Sequence, residues 1–184
     1  LLINSILPHL QSRSLRPAPT CAKTEIMTET MIGDVPLKEL AAAARLGDPM
    51  AQTLLGDARR IGVGDSIAVN DAKAAFWYRR AAAQGQAEAQ DCLGVLYLTG
   101  HGVPQDDVEA ARWFLMAARQ GYVCSQHHIG VLYMEGRGVA QDNPRALGWF
   151  LKAARQGWRP SQVNAGWMYA HDVDIPCYDD EPST

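Results

Sequence analysis

CLGVLYLTGHGVPQD, Cys92 to Asp106, sets one glycine, Gly94, inside an apolar run and two more, Gly100 and Gly102, directly behind it. A glycine in a helix interior costs about 1 kcal/mol relative to alanine, so its presence needs a physical reason. The chain repeats the arrangement. HIGVLYMEGRGVAQD, His128 to Asp142, lies 36 residues further on and places Gly130, Tyr133, Gly136 and Gly138 where Gly94, Tyr97, Gly100 and Gly102 stand. Self-similarity at a fixed period of this length marks a repeat architecture.

Other columns keep the same step. Trp77, Trp113 and Trp149 are each followed by an aromatic residue (Tyr78, Phe114, Phe150) and then by an alanine pair (Ala81-Ala82, Ala117-Ala118, Ala153-Ala154). A Gln-Gly step follows at Gln84-Gly85, Gln120-Gly121 and Gln156-Gly157, and then a small residue with glutamine at Ala89-Gln90, Ser125-Gln126 and Ser161-Gln162. The frame extends backward through Ala43-Ala44, Gly47, Ala51-Gln52 and Leu55-Gly56. There Glu39 stands in the tryptophan column, Arg59 in the tyrosine column, and the loop Gly64 to Asp71 is two residues longer. Forward, Gly166 and Tyr169 keep register while Asp172 and Asp174 replace the loop glycines. This gives a repeat domain over 34–171 in about four units, 34–70, 71–106, 107–142 and 143–171, with atypical terminal members as solenoids require.

Each unit reads as two antiparallel helices, and the chain as an all-α, α-α superhelix. Asp71, Asp107 and Asn143 are N-cap types ahead of helix A, and Pro144 suits its first position. The Gln-Gly step stops helix A. Helix B starts near the small-Gln pair and ends at the Gly-x-Gly-Val loop, whose glycines serve the turn back. Gly94, Gly130 and Gly166 recur within helix B because a side chain there would hold a neighbouring helix off. The tryptophans are expected in the core between units, so that Trp113→Ala would cost about 3 to 5 kcal/mol.

The Trp-aromatic, Ala-Ala, Gln-Gly, Ala-Gln, Leu-Gly-x-x-Tyr and Gly-x-Gly-Val columns resemble the Sel-one-like repeat (SLR) family, a tetratricopeptide-like helical repeat. The resemblance implies a right-handed superhelix of paired helices used as an adaptor or scaffold in signalling, envelope regulation or protein quality control. One helix pair cannot bury its apolar face alone, so stacked units are expected to leave an extended groove for a protein or peptide.

Composition restricts the remaining classes. The net charge of −3 does not suggest nucleic acid or a membrane surface, and no apolar stretch approaches the roughly 20 residues that span a bilayer. Residues 1–33 read as an N-terminal extension that is disordered, artefactual or a leader, with bases Arg13, Arg16 and Lys23 and no acid before Glu25. Residues 172–184 form an acidic C-terminal tail, with a solvated cap and an occupant of the basic helices as its two readings. Cys21, Cys92, Cys124 and Cys177 show no CxxC spacing, so a reduced compartment and a cytoplasmic location are expected, with export to periplasm or an organelle as the alternative if 1–26 are a leader.

Catalytic patterns are missing: the sequence contains no GxSxG, HExxH, GxxxxGK[ST] or CxxC, and no serine has a lysine three positions on. GHG and GRG lack the preceding strand and further glycine of a dinucleotide fingerprint. His127 and His128 are adjacent, point about 100° apart on a helix, and cannot easily share one metal. The expectation is therefore a non-enzymatic scaffold with no cofactor and no metal. The alternative is an enzyme subunit or small-molecule binder using the groove, as in hydrolase-like and β-lactamase-like relatives.

Partner contacts should lie in columns that vary between units. On the three helices A these include Arg79, Arg80, Arg112, Met116, Arg119, Lys152 and Arg155, and the stretches 72–84, 108–120 and 144–156 hold eight Lys or Arg against one acid, Glu109. If helix A lines the concave side, they form a basic track that suits an acidic peptide or helix. The other reading is that Arg119 and Arg155 complement helix C-terminal dipoles and the rest are solvated.

Overall fold

The structure is a computed structural model and describes residues 27–28, 31–32, 35–63 and 67–171, so the expectations for 1–26 and for the acidic tail 172–184 lie outside the described residues. Eight helices follow one another: α1 Leu37–Leu46, α2 Pro49–Ile61, α3 Asp71–Ala83, α4 Ala87–Thr99, α5 Asp107–Arg119, α6 Val123–Glu135, α7 Asn143–Arg155 and α8 Arg159–Ala170. Contacts run predominantly between consecutive helices, the arrangement of an all-α solenoid. Ahead of it, β1 Met27–Thr28, β2 Met31–Ile32 and β3 Val35–Pro36 pair antiparallel in the order β1-β2-β3, and β2 and β3 touch α1. β1 and β2 fall within the N-terminal extension of the sequence reading, and β3 at the start of its repeat domain. The longer first loop is pinned by an antiparallel bridge between Val63 and Ile67, both buried.

The helix A caps sit one residue earlier than the sequence suggested. Asn70 Oδ1 accepts from the Lys73 amide at 2.8 Å, Asp106 Oδ1 from the amides of Val108 and Glu109 at 3.0 Å, and Asp142 Oδ1 from Arg145 at 2.9 Å. Asp71, Asp107 and Asn143 are the first helical residues instead, and Pro144 is the second. Each position offers two adjacent cap-forming side chains, and the one with extended backbone takes the role. At the other end Gly85, Gly121 and Gly157 adopt φ of 88°, 86° and 84°, the left-handed turn that stops helix A.

The glycine column of helix B is a row of sockets. A Cβ on Gly56 would stand 2.6 Å from the Tyr78 ring, and one on Gly94 or Gly130 would stand 2.7 Å from the ring of Phe114 or Phe150. These rings, one from each following helix A, are fully buried. Gly166 departs from the expectation, because among the described residues no neighbouring helix stands within 4 Å of its Cβ position. No further helix A follows it among the described residues.

The tryptophans also require a correction. Trp77, Trp113 and Trp149 are only part-buried and lie against the margin of the preceding unit's core, while the residue after each fills the interior. Neighbouring side chains on a helix diverge by about 100°, so only one of each aromatic pair can share the face of the buried alanines. Tyr78 shares it with Ala74, Ala75, Ala81 and Ala82.

Two further devices fix the register between units. Gln52, Gln90 and Gln126 are buried, and each accepts from the next Gln-Gly glutamine, Gln84, Gln120 or Gln156, at 2.9, 2.8 and 2.8 Å. Each also donates to a helix A carbonyl, Ala44, Ala82 or Ala118. The Gly-x-Gly loop adds a backbone contact, since a Cβ on Gly102 would overlap the Asp71 carbonyl and one on Gly138 the Asp107 carbonyl.

Candidate protein-interaction face

Helices α3, α5 and α7 bury one face, built on alanines and the inner aromatic ring, and expose the opposite side. All seven side chains expected to meet a partner, Arg79, Arg80, Arg112, Met116, Arg119, Lys152 and Arg155, are exposed there. Arg80, Met116 and Lys152 occupy one column, and Arg119 and Arg155 another in the last helical turn.

Their surroundings differ. The Arg80 guanidinium lies over Phe76 and Trp77, 5.8 and 5.7 Å from the ring centroids, and Lys152 Nζ lies 4.3 Å from the centre of Trp149. Each of these cations has a ring to lean on. Arg79 donates to the Tyr97 hydroxyl at 3.0 Å, which fixes it to α4 of its own unit. Arg112 is paired with Glu109 at 3.3 Å, so its charge is partly spent within α5.

The part-buried tryptophans, and Phe76, which is 51% exposed, border the same surface as the bases. Sequence reasoning assigned those indoles to the core and missed them here. The available signal was the helical phase: Trp77 stands off the alanine face, three residues before Arg80.

A second set of polar groups is internal. Asp91, nearly buried, accepts from Ser125 Oγ at 2.6 Å and lies 3.0 Å from His128 Nδ1, tying α4 to α6. His127 Nδ1 lies 2.9 Å from Ser161 Oγ, tying α6 to α8. Burial, and then the neighbouring His128, lowers the His127 pKa to about 4, and Ser161 has no exposed surface. A buried hydroxyl beside a neutral imidazole serves as a cross-helix bond. Burial, then Asp57 and Asp91, pushes the Cys92 thiol well above its usual range, opposite to the requirement of a reactive thiolate. Among the described residues no group of three or more His, Cys, Asp or Glu could hold a metal ion, and no helix is long and apolar enough to cross a membrane.

The Sel1 repeat family model matches residues 49–86, 87–122 and 125–158, more than half of the chain. The chain belongs to the Sel1 repeat family. Its matched segments run from helix B to the next helix A, half a unit out of phase with the units counted from the sequence, because a repeat has no preferred starting point. Among solved structures, it is similar to c5321, a protective antigen present in uropathogenic Escherichia coli strains and displaying an SLR fold. The identity is 36% and the TM-score 0.73, over 76% of this chain and 29% of that one. It is also similar to a Sel1 repeat protein from Oxalobacter formigenes, with 30% identity and a TM-score of 0.70, over 76% of this chain and 58% of that one. Helicobacter pylori cysteine rich protein B shares the fold at 20% identity and a TM-score of 0.55, over 70% and 90% of the two chains. The chain therefore spans less than two thirds of the length of the first two. No curated protein matches it. Sel1 repeats generally mediate protein–protein interactions and are typically non-catalytic scaffolds.

Proposed function

We propose that the chain is a non-catalytic adaptor that holds a partner protein or peptide along the exposed side of α3, α5 and α7, and that the bound segment is acidic. The observation that carries this reading is the repeated juxtaposition of cation and part-buried indole, Arg80 on Trp77 and Lys152 on Trp149, two units apart on the same helix column. An acidic helix or strand laid along this column would meet alternating charge and ring, with Met116 as an apolar contact between them. Rim charges of this kind set association rate and salt dependence more than tight affinity.

The test is fluorescence anisotropy of a labelled oligoglutamate peptide against the full chain at low and high salt. Simultaneous replacement of Arg80, Arg112 and Lys152 by alanine should weaken binding about tenfold and flatten its salt dependence. Equal affinity of the variant and the native chain would reject the assignment of this face. Affinity capture with the same pair of proteins would then identify the natural partner as the protein lost from the variant.

A further inference from the structure

The charges on the exposed side of α3, α5 and α7 divide into those already matched and those that are not. Arg112 pairs with Glu109 and Arg145 with Asp142, while Arg79 is held by the Tyr97 hydroxyl. Arg80, Arg119, Lys152 and Arg155 have no carboxylate at ion-pair distance among the described residues. Three of these, Arg119, Lys152 and Arg155, gather toward the C-terminal ends of α5 and α7. The helix carbonyls there offset part of their charge but supply no carboxylate. α7 is the extreme case, with Arg145, Lys152 and Arg155 and no acid of its own.

The complement lies in the same chain, directly behind the helix that packs on α7. α8 ends at Ala170, and residues 172–184 hold Asp172, Asp174, Asp179, Asp180 and Glu181 with no Lys or Arg. Extended backbone covers about 3.3 Å per residue, so the stretch from His171 to Glu181 reaches across about 33 Å. Packed helices stand only about 10 Å apart, which puts both α7 and α5 within that reach. The preceding loops turn inward instead, because Gly102 and Gly138 lie so close to the Asp71 and Asp107 carbonyls that a Cβ would overlap them. A loop of that build after α8 would need glycine at position 174, where the sequence has Asp174.

We propose that the acidic segment 172–184 is an internal ligand of the basic side, lying over Lys152, Arg155 and Arg119 and competing there with the acidic segment of a partner. This deepens the adaptor reading and rests on it. Tethering gives the segment an effective concentration of about millimolar, so weak ion pairs suffice to keep it in place. A partner must displace it, and a segment that adds apolar contact with Phe76 or Met116, both exposed, has the advantage over one that offers charge alone. The α3 end of the face, with Arg80 on Phe76 and Trp77, stays open as the point of entry.

The test is a cycle of full-length variants titrated with labelled oligoglutamate. Replacing Asp172, Asp174, Asp179 and Asp180 by asparagine and Glu181 by glutamine should tighten binding about tenfold at low salt. In a chain that also carries Arg119→Ala, Lys152→Ala and Arg155→Ala, the same five changes should tighten it about twofold or less. A labelled peptide of residues 172–184, DVDIPCYDDEPST, should bind the neutralised chain saturably and be displaced by oligoglutamate. An equal gain in both backgrounds would overturn the proposal, since long-range repulsion needs no docking site. No gain, with oligoglutamate bound by native and neutralised chains alike, would overturn it and leave the partner face standing. Failure of every chain to bind oligoglutamate would overturn the partner face and this inference with it.

Discussion

Helices α6 and α8 carry the same mid-helix glycine 36 positions apart, and the structure treats them oppositely. Around Gly130, α7 delivers Phe150, and the joint is closed on all sides. Around Gly166 the residues that would line the joint, Val163 and Trp167, face outward. The contrast teaches that the glycine is a property of the joint and not of the helix. It is costly in both places, and only in the first is the cost offset by a ring seated in the space it leaves.

Substitution can break this comparison directly. Phe114→Ala removes a fully buried ring and should destabilise the fold by about 3 to 5 kcal/mol, measured by urea unfolding, while Trp167→Ala should stay within about 0.5 kcal/mol. Trp113→Ala, part-buried at the margin, should fall between them at about 1 to 2 kcal/mol. Equal losses for Phe114 and Trp113 would restore the tryptophans to the core.

The glycines sharpen the point. Gly94→Ala forces a methyl into the Phe114 ring and should cost about 1 to 3 kcal/mol, whereas Gly166→Ala should stabilise by about 0.5 to 1 kcal/mol through helix propensity. A loss at both sites would show that α8 is covered in solution.

The tie between α6 and α8 adds a pH test. The unfolded chain protonates His127 near 6.5 and the folded chain only near 4, so the unfolded state binds more protons between these values and stability falls as pH drops through that window. Because the ring remains part-exposed, the loss should be about 1 to 2 kcal/mol, less than the whole shift implies. His127→Gln should flatten the pH dependence of the melting temperature across this range. Gln120→Ala should cost about 1 kcal/mol in urea unfolding, because it leaves the Gln90 carbonyl without its cross-unit donor.

Much of this architecture is legible in the sequence. The glycine, alanine and Gln-Gly columns give the period, the helix pairs and their C-terminal ends, because each column answers one local need. The phase of helix A is legible too, in that Tyr78 is spaced three or four residues from Ala74, Ala75, Ala81 and Ala82. The size of the adjacent tryptophan obscures it. Asn70-Asp71, Asp106-Asp107 and Asp142-Asn143 offer two equivalent caps each, and only backbone geometry chooses between them. For the candidate partner face, the columns identify the basic side chains. Which charges are paired, as Arg112 is with Glu109, and which rest on rings depends on rotamers that periodicity does not encode.

The Tyr78–Asp57 bond gives the first joint a key that the others lack. A 36-residue cassette exchanged between the second and third joints would bring a matching ring and valine with it, so the two joints are interchangeable in this contact. Moved to the first joint, the same cassette would bring a phenylalanine that has no hydroxyl to donate to Asp57, so the first joint keeps that bond only with a tyrosine-bearing unit.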